Sequence, residues 1–481
     1  MQHTHSRHRR RSSQPSPRRS HSRPRSPRPD SPAPSKPSRA RHPFRSVFAH
    51  CFHPNRLNAL FRRFRLPRRR TPRLSFAELV LALVYHVLMG SGSLQAHVAE
   101  LTGKQLSGSA LSQRRSRLPW KLFEQVLALT LRPRATPKEH PHAFYHGLRL
   151  VGLDGTGFAL RNTPAVCAGL RKAASRRLKA AFARVRVVVL VELGLHNPIA
   201  ARIGGAGESE YKLAEQLVSQ LPPRSVVLGD RLYGVPAFVA RLLGCIEGAG
   251  SEFLVRVRRN LKVRVLERLA DGSTWVEVQT RDRAGRKVRG QMREIHARVR
   301  GRGGKVTRVR LWTSLRDARQ HPARALLALY AQRWEVELMV HELKVEVRSG
   351  DLLGSYTPET AAQEIAALLL ALGALVEVRC RAGAEAEVSV LRVSFRQTVR
   401  LVRALWTLLA LGEGIHTAAQ VRALVRRTWE RIVWEVTPAR RARSCPRAVR
   451  QPVSSWPRLL RRHNWKGPIT YEIIPYDGRT S

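Results

Sequence analysis

The sequence predicts an α/β protein in which a helical N-terminal region leads into a helix-covered sheet that carries a β-rich insertion. Three observations support this. Apolar residues keep a helical period through about residues 43–137, and from Leu148 they form continuous apolar runs of strand length. Beyond that point strands and helices alternate, which implies a sheet covered on both faces. Between about 259 and 306 the alternation gives way to short Arg-studded strands divided by DG, AG and GRGG turns.

The elements follow in order. Residues 1–43 are low-complexity Arg/Ser/Pro sequence, too poor in apolar side chains to offset chain entropy, and are expected to be a disordered basic tail. Such a tail reads equally as a nonspecific nucleic-acid arm or as an over-long translation start. Residues 44–145 form the predicted helical DNA-binding domain. Its main helix, Phe76–Met89, is introduced by Ser75 with Glu78 three residues on, the form of a capping box, and ends at Gly90. The segments SLQAHVAELTG and LSGSALSQRRSRL outline a helix-turn-helix that would offer Ser109, Gln113 and Arg114 to a DNA groove. A plain helical bundle shows the same pattern.

Within residues 146–380, LRLVGLDGTGFAL reads as a buried strand ending at Asp154, a turn and a second strand. VRVVVLVELGL is a third strand, apolar on both faces, and GESEYKLAEQLVSQL a helix. SVVLGD is a fourth strand ending at Asp230, GVPAFVARLLG another helix and EFLVRVR a fifth strand. KVRVLERL, TWVEVQT, KVRGQMREIHARV and TRVRLWTSL make up the insertion. RALLALYAQRWEVELMVHELKVEV then reads as one long helix. The chain continues helical through a C-terminal region at 381–436 and ends in a basic tail at 437–481. Its longest apolar stretch, 365–376, is too short to span a bilayer and reads as a buried helix.

Charge narrows the partners. Lys and Arg number 87 against 34 Asp and Glu, a net +53, and residues 1–43 hold only twelve basic residues and one acid. The remaining chain therefore still carries +42, and a body so charged repels itself until a polyanion neutralises it. Nucleic acid is the expected partner, and no amphipathic anchor or lipidation signal points to a membrane. Five dispersed cysteines without a CxxC pair exclude a zinc ribbon and a disulfide framework and suit a reducing, cytoplasmic compartment.

Asp154 and Asp230 both follow apolar strands, and strand ends are where open α/β sheets build their sites. Two adjacent carboxylates need a shared cation, and Mg²⁺ takes such oxygens while keeping positions for water and phosphate. At about 100° per residue on an ideal helix, Tyr330, Arg333, Glu337 and Lys344 share an arc of about 60°, with Glu335, Glu342 and Glu346 opposite. Glu337 is thus an acid flanked by cations, and the three acids point to two-metal phosphoryl transfer on DNA. The alternative reading of Arg333 and Glu337 is an ordinary surface i,i+4 bridge. The histidines of EHPHAFYH (His140, His142, His146) read as an interdomain linker rather than a metal site. Arg171, Lys172, Arg176, Arg177 and Lys179 form either a solvated loop or a track for the DNA backbone.

The order DGT, GDRLYG and YAQRWEVELMVHELK, with Tyr, Arg, Glu and Lys at Y-x2-R-x3-E-x6-K spacing, resembles the DDE transposases of the insertion-sequence-four type over roughly 145–380. The resemblance implies an RNase H-like core with Asp154, Asp230 and Glu337 as ligands for two Mg²⁺ ions, which Mn²⁺ can replace. It implies that Tyr330, Arg333 and Lys344 contact phosphates of the element's terminal strand. It also implies a tryptophan in the insertion that stacks on a flipped base, for which Trp275 is the first candidate and Trp312 the second. A buried strand tryptophan is the competing reading. The expected partners are double-stranded DNA, as terminal inverted repeats and target, and a second copy of the chain on that DNA. The expected location is the cytoplasm, at the nucleoid. A catalytically silent DNA-binding descendant of a transposase would carry the same signature.

Overall fold

The N-terminal helices are α1 (Pro54–Arg63), α2 (Phe76–Met89), α3 (Leu94–Thr102), α4 (Gly108–Ser116) and α5 (Trp120–Thr130). The computed structural model describes residues 52–66, 73–170, 172, 181–205, 207–258, 260–281, 285–300, 306–350 and 352–438. The tail at 1–43, the loop residues Arg171, Arg176, Arg177 and Lys179, and the C-terminal tail from 439 lie outside them. Both halves of the capping box at α2 are present: Glu78 N–H donates to Ser75 Oγ (3.1 Å) and Ser75 N–H to Glu78 Oε2 (2.7 Å). Gly90 closes α2 at φ +71°, a left-handed position that glycine adopts without a Cβ clash.

Next come β1 (Phe144–Tyr145), β2 (Leu148–Leu160), α6 (Pro164–Gly169), β3 (Arg184–Glu192), β4 (Asn197–Gly204), α7 (Glu210–Leu217), β5 (Ser225–Gly229), α8 (Pro236–Ile246) and β6 (Glu252–Arg256). The insertion contributes β7 (Arg264–Arg268), β8 (Thr274–Arg281), β9 (Lys287–Arg300) and β10 (Val306–Thr313). After it stand α9 (Ala323–Ala331), α10 (Trp334–His341), a π-helical turn (Glu342–Val347), β11 (Leu352–Leu353), α11 (Pro358–Glu385), α12 (Phe395–Leu411) and α13 (Ala418–Trp434).

One mixed sheet runs β4-β3-β2-β5-β6-β10-β9-β8-β7, with β1 and β11 also on β2. β2, β5 and β6 are parallel, whereas β3 runs antiparallel to β2 and β4 antiparallel to β3. This order and these directions make the core RNase H-like. The insertion is continuous with the core sheet, because β10 pairs with β6 from Leu311↔Arg256 to Thr313↔Leu254. Its strands therefore extend to Thr313, beyond the expected boundary at 306. The outermost strand, β7, is exposed along its whole length and carries Arg264, Glu267 and Arg268, charges that discourage edge-to-edge pairing.

Two features differ from the sequence expectation. LRLVGLDGTGFAL is a single thirteen-residue strand with Asp154 in its middle, because β3 pairs with it on both sides of the aspartate, from Val151 to Ala159. β4 was hidden in sequence by Pro198 and Gly204. It tolerates the proline as an edge strand, where a missing N–H costs no interior ladder bond.

The continuous apolar run of β3 explains how the sheet is covered. Val187, Val189 and Val191 join one core, and Val188 and Leu190 join another on the opposite face with α7 and α8. The first core also takes in Leu79 and Leu83 of α2, Phe123 and Val126 of α5, and Ile365, Leu369 and Leu372 of α11. The helical region 44–145 thus shares its core with the sheet-bearing region 146–380, and α11 is the shared centre. α11 is the one helix among the described residues long and apolar enough by itself to cross a bilayer, and 83% of its apolar window is buried inside the protein. Its apolarity is accounted for by the core.

Candidate active site

Register places the two aspartates. β2 and β5 pair in parallel from Arg149↔Ser225 to Leu153↔Gly229, so Asp154 and Asp230 are the next positions on two adjacent strands. β5 ends there: Asp230 Oδ1 accepts the N–H of Leu232 (2.7 Å) and its carbonyl accepts that of Tyr233 (3.2 Å), turning the chain. β2 continues on β3. Strand alternation puts Gly152 and Asp154 on one face of β2 and Val151, Leu153 and Gly155 on the other.

The third acid arrives on the Gly152 face. α10 crosses so closely that a Cβ on Gly152 would overlap Val336 Cγ2 and come within 2.6 Å of Leu193 Cδ2. Val336 precedes Glu337, so the missing side chain at 152 sets how near Glu337 comes to Asp154. Gly152→Ala is therefore expected to lower stability by about 1–3 kcal/mol through overpacking and to impair any activity that needs both acids. Urea unfolding beside a cleavage assay checks this; wild-type values in both would show that α10 does not depend on that contact.

The single long helix expected from 324 to 347 is instead three pieces. α9 ends at Ala331, Arg333 N–H bonds back to Tyr330 O (3.1 Å), and α10 begins at Trp334 before passing into the π-helical turn at Glu342. An ideal 100° step consequently fails to predict where Lys344 lies. Tyr330, Arg333 and Glu337 do face one cavity, whereas Lys344 is not among its lining residues. Lys344 Nζ donates to Gly157 O (2.8 Å) and rests over the Phe158 ring (5.1 Å). Burial, then the charges of Arg348 and Arg184, push its pKa down to about 8. Glu335 and Glu342 do point to the opposite side, where both reach the buried His196 at 2.8 Å.

The cavity has a volume of about 850 Å³ and is lined by Asp154, Gly155, Asp230, Arg231, Arg256, Tyr330, Arg333, Trp334, Glu337 and Val340. Arg333 lies between the acids, 2.9 Å from Glu337 Oε1 and 3.8 Å from Asp154 Oδ2. Asp154 Oδ1 also accepts the Gly155 N–H (2.8 Å). Burial, with the carboxylates of Asp230 and Glu210 nearby, nevertheless pushes the Asp154 carboxyl up to about 6. Burial likewise raises the Tyr330 phenol, against the opposing charges of Arg333 and Arg256.

Four residues of this neighbourhood escaped the sequence reading. Glu210, at the start of α7, approaches Gly155 from the opposite face and accepts a hydrogen bond from the buried Tyr233 hydroxyl (3.1 Å). Arg256 is half-buried in the cavity wall, and the 46%-exposed Trp334 presents an aromatic face there. The last of the four, Arg231, directly follows Asp230. Trp334 directly follows Arg333, a signal that could have found it, but Glu210 gave no sequence signal, since its distance in sequence says nothing of its contact with Gly155.

Other predicted residues lie elsewhere. Trp312 is fully buried, its Nε1–H donating to Glu294 Oε2 (2.6 Å), so it is a core residue and cannot stack on a base. Trp275 is half-buried on β8, five strands from β2 and outside the cavity lining, with Arg316 4.8 Å from its ring. Ser109 and Gln113 are exposed on α4, whereas Arg114 turns inward and donates to Leu74 O, which removes it from groove readout. His142 contacts Gly194 O (3.2 Å) and Ser389 Oγ (3.1 Å), and His140 is buried.

The donor set suits a hard divalent cation: three carboxylates at one open cavity, one of them raised to about 6 by burial and its acidic neighbours. These acids are gathered but not yet closed on one point. Among the described residues no group of three or more His, Cys, Asp or Glu stands close enough to hold an ion, and Arg333 occupies the gap between Asp154 and Glu337.

Comparison with known proteins shows what this chain is similar to. Residues 146–373 match the family model described as transposase DDE domain. The chain is 32% identical over 270 residues to the transposase InsG for insertion sequence element IS4 of Escherichia coli (strain K12), covering 55% of this chain and 59% of that protein. It is 28% identical over 129 residues to the putative transposase InsZ of the same strain, covering 27% of this chain and 43% of InsZ. The aligned region thus spans less than two thirds of either relative. A cryo-EM structure of a piggyBac transposase synaptic complex with hairpin DNA aligns with 82% of this chain and 84% of its own, at 13% identity and a TM-score of 0.41. Residues 146–373 are thus similar to a transposase DDE domain, and over 270 residues the chain resembles an insertion-sequence transposase.

Proposed function

We propose that the protein is a DNA transposase that cleaves at insertion-sequence ends and transfers the freed strand, by cut-and-paste transposition. The observation that carries this is the convergence of Asp154, Asp230 and Glu337 with Arg333 and Tyr330 on one open cavity of a strongly basic chain. Asp154, Asp230 and Glu337 would hold two Mg²⁺ ions, with Mn²⁺ able to substitute. Such cations supply charge to the phosphate oxygens and favour ionisation of the attacking hydroxyl.

This chain's own residues account for the rest. The Arg333 guanidinium, freed from its carboxylates, is a planar donor fork suited to a phosphate. Tyr330 adds a phenolic donor from one turn earlier, and Trp334 an aromatic face for a base. Lys344 supplies a cation further along β2, beside Gly157 and Phe158. In the first step water attacks the phosphodiester at the element end, the P–O3′ bond breaks and the 3′-oxygen takes up a proton. In the second, that 3′-hydroxyl attacks another phosphate, loses its proton and displaces the oxygen there. Terminal repeats and target DNA would be the substrates and a homodimer on DNA the acting form, in the cytoplasm at the nucleoid.

Mg²⁺-dependent cleavage of a duplex carrying the element end, wild type against Glu337→Gln at near-physiological salt, tests the reading. Cleavage by wild type alone is the expected result. Binding of the ends by both proteins with cleavage by neither would make the chain a silent DNA-binding descendant.

A further inference from the structure

Beside the catalytic cavity lies a second one of about 410 Å³, lined by Arg231, Arg256, Val257, Arg258, Asn260, Arg308 and Arg310. No acid lines it. Arg231 and Arg256 belong to both cavities, so the two form a continuous trough running from the carboxylates toward the end of β6 and the start of β10.

The trough has a fixed floor. Arg310 is buried and neutralised by Glu294, with Nη2 2.7 Å from Oε2. Its Nη1 donates to the carbonyls of Leu261 (2.8 Å) and Arg258 (3.3 Å), which ties down the loop bearing Arg258 and Asn260. Glu294 is shared further with Trp312 and His296, so its charge is spent below the surface. Above this floor Arg231, Arg258 and Arg308 are exposed and Arg256 is half-buried, and among the described residues none of the four is in an ion pair. Four like charges around one hollow repel one another, a cost that a bound polyanion removes.

We infer that this cavity holds the phosphodiester backbone of the strand adjoining the scissile phosphate, with Arg258 and Arg308 as the contacts furthest from the chemistry. The inference rests on the reading of the protein as a DNA transposase and deepens it. Arg256 and Arg231 would hand the backbone from one cavity to the next, and Asn260 would donate to a phosphate oxygen. Because the contacts are to backbone, the cavity adds affinity and register without base preference.

The test pairs Arg258→Gln/Arg308→Gln with wild type on an element-end duplex, reading affinity against salt. Two lost phosphate contacts should reduce the slope of log K against log salt by about 1.8, at about 0.9 per contact. A second series replaces single linkages near the cleavage point by uncharged methylphosphonates. One or two adjacent linkages should weaken wild-type binding several-fold and add nothing in the double variant. An unchanged salt slope, or linkages that weaken both proteins equally, would overturn the assignment. Both readouts are binding measurements, so failure of the wild type to cleave would sink the proposed catalysis without touching this result.

Discussion

Asp154→Asn is expected to abolish cleavage, by about 10³-fold or more, and at the same time to stabilise the protein. The two effects share one origin. Asp154 is one register step past the last β2–β5 pair, next to Asp230, buried and within electrostatic reach of Glu210. Holding a cation against the transferred phosphate is worth several kcal/mol of transition-state stabilisation, and each 1.36 kcal/mol lost is tenfold in rate. In the metal-free protein the same carboxyl is pushed up to about 6 from an ordinary 3.8. An acid whose folded pKa is raised withdraws stability as pH climbs from its unfolded pKa through the folded one. At pH 7.5 the asparagine variant should therefore be the more stable by about 1–3 kcal/mol, and the gap should close toward pH 4. Urea midpoints across that range, with and without Mg²⁺, check the sign. A variant less stable than wild type at pH 7.5 would mean that Asp154 is held by structure rather than strained for function.

Much of this site was legible because the rules behind it are local. An apolar run of strand length followed by aspartate fixed β5 and Asp230, and the double-faced apolarity of β3 correctly implied helices on both sides. Spacing along one helix chose Glu337 over Glu335 and Glu342, and the cavity is lined by Glu337 alone of the three. What failed depended on tertiary packing. No Gly or Pro marks the break at Arg333, and a π-helical turn leaves no trace in a 3.6-residue period, so Lys344 was assigned to a face it does not share. Arg114 read as an exposed groove residue because its partner, Leu74 O, is forty residues away. The same blindness to distant contacts hid the charge network around His196, a lone histidine between two strands. Its acids read only as the side of the helix opposite Glu337.

That network should dominate the stability of α10 and the π-helical turn: Glu342→Ala is expected to cost about 3–5 kcal/mol. His196 is fully buried in a left-handed turn (φ +59°), with Nδ1 on Glu342 Oε2 and Nε2 on Glu335 Oε2, both at 2.8 Å. Arg379 of α11, 1% exposed, meets Glu342 Oε1 at 3.2 Å and also donates to Val393 O (3.1 Å). Carboxylates stand at both ring nitrogens of His196, an arrangement that favours the imidazolium. Burial alone would strip that proton, but the charge of Glu342 and the bonds to Glu335 and Glu342 outweigh it and raise the pKa. Two cations thus face two acids, only one of which, Glu342, is buried and touches both. Removing Glu342 takes the buried carboxylate from Arg379 and leaves His196 with Glu335 alone, and breaking a buried charge network in this way is costly. Because the His196 pKa is raised, its contribution is complete below about pH 6.5 and fades as pH rises through the folded value. The deficit of Glu342→Ala should accordingly be largest in mild acid and shrink in alkali. α10 and the π-helical turn hang from this network, so the variant should also lose cleavage even where it remains folded. Denaturant midpoints at pH 6 and pH 9 decide the matter: a deficit under about 1 kcal/mol at pH 6 would mean that apolar packing, through Val336 and Met339, holds the helix without the charges.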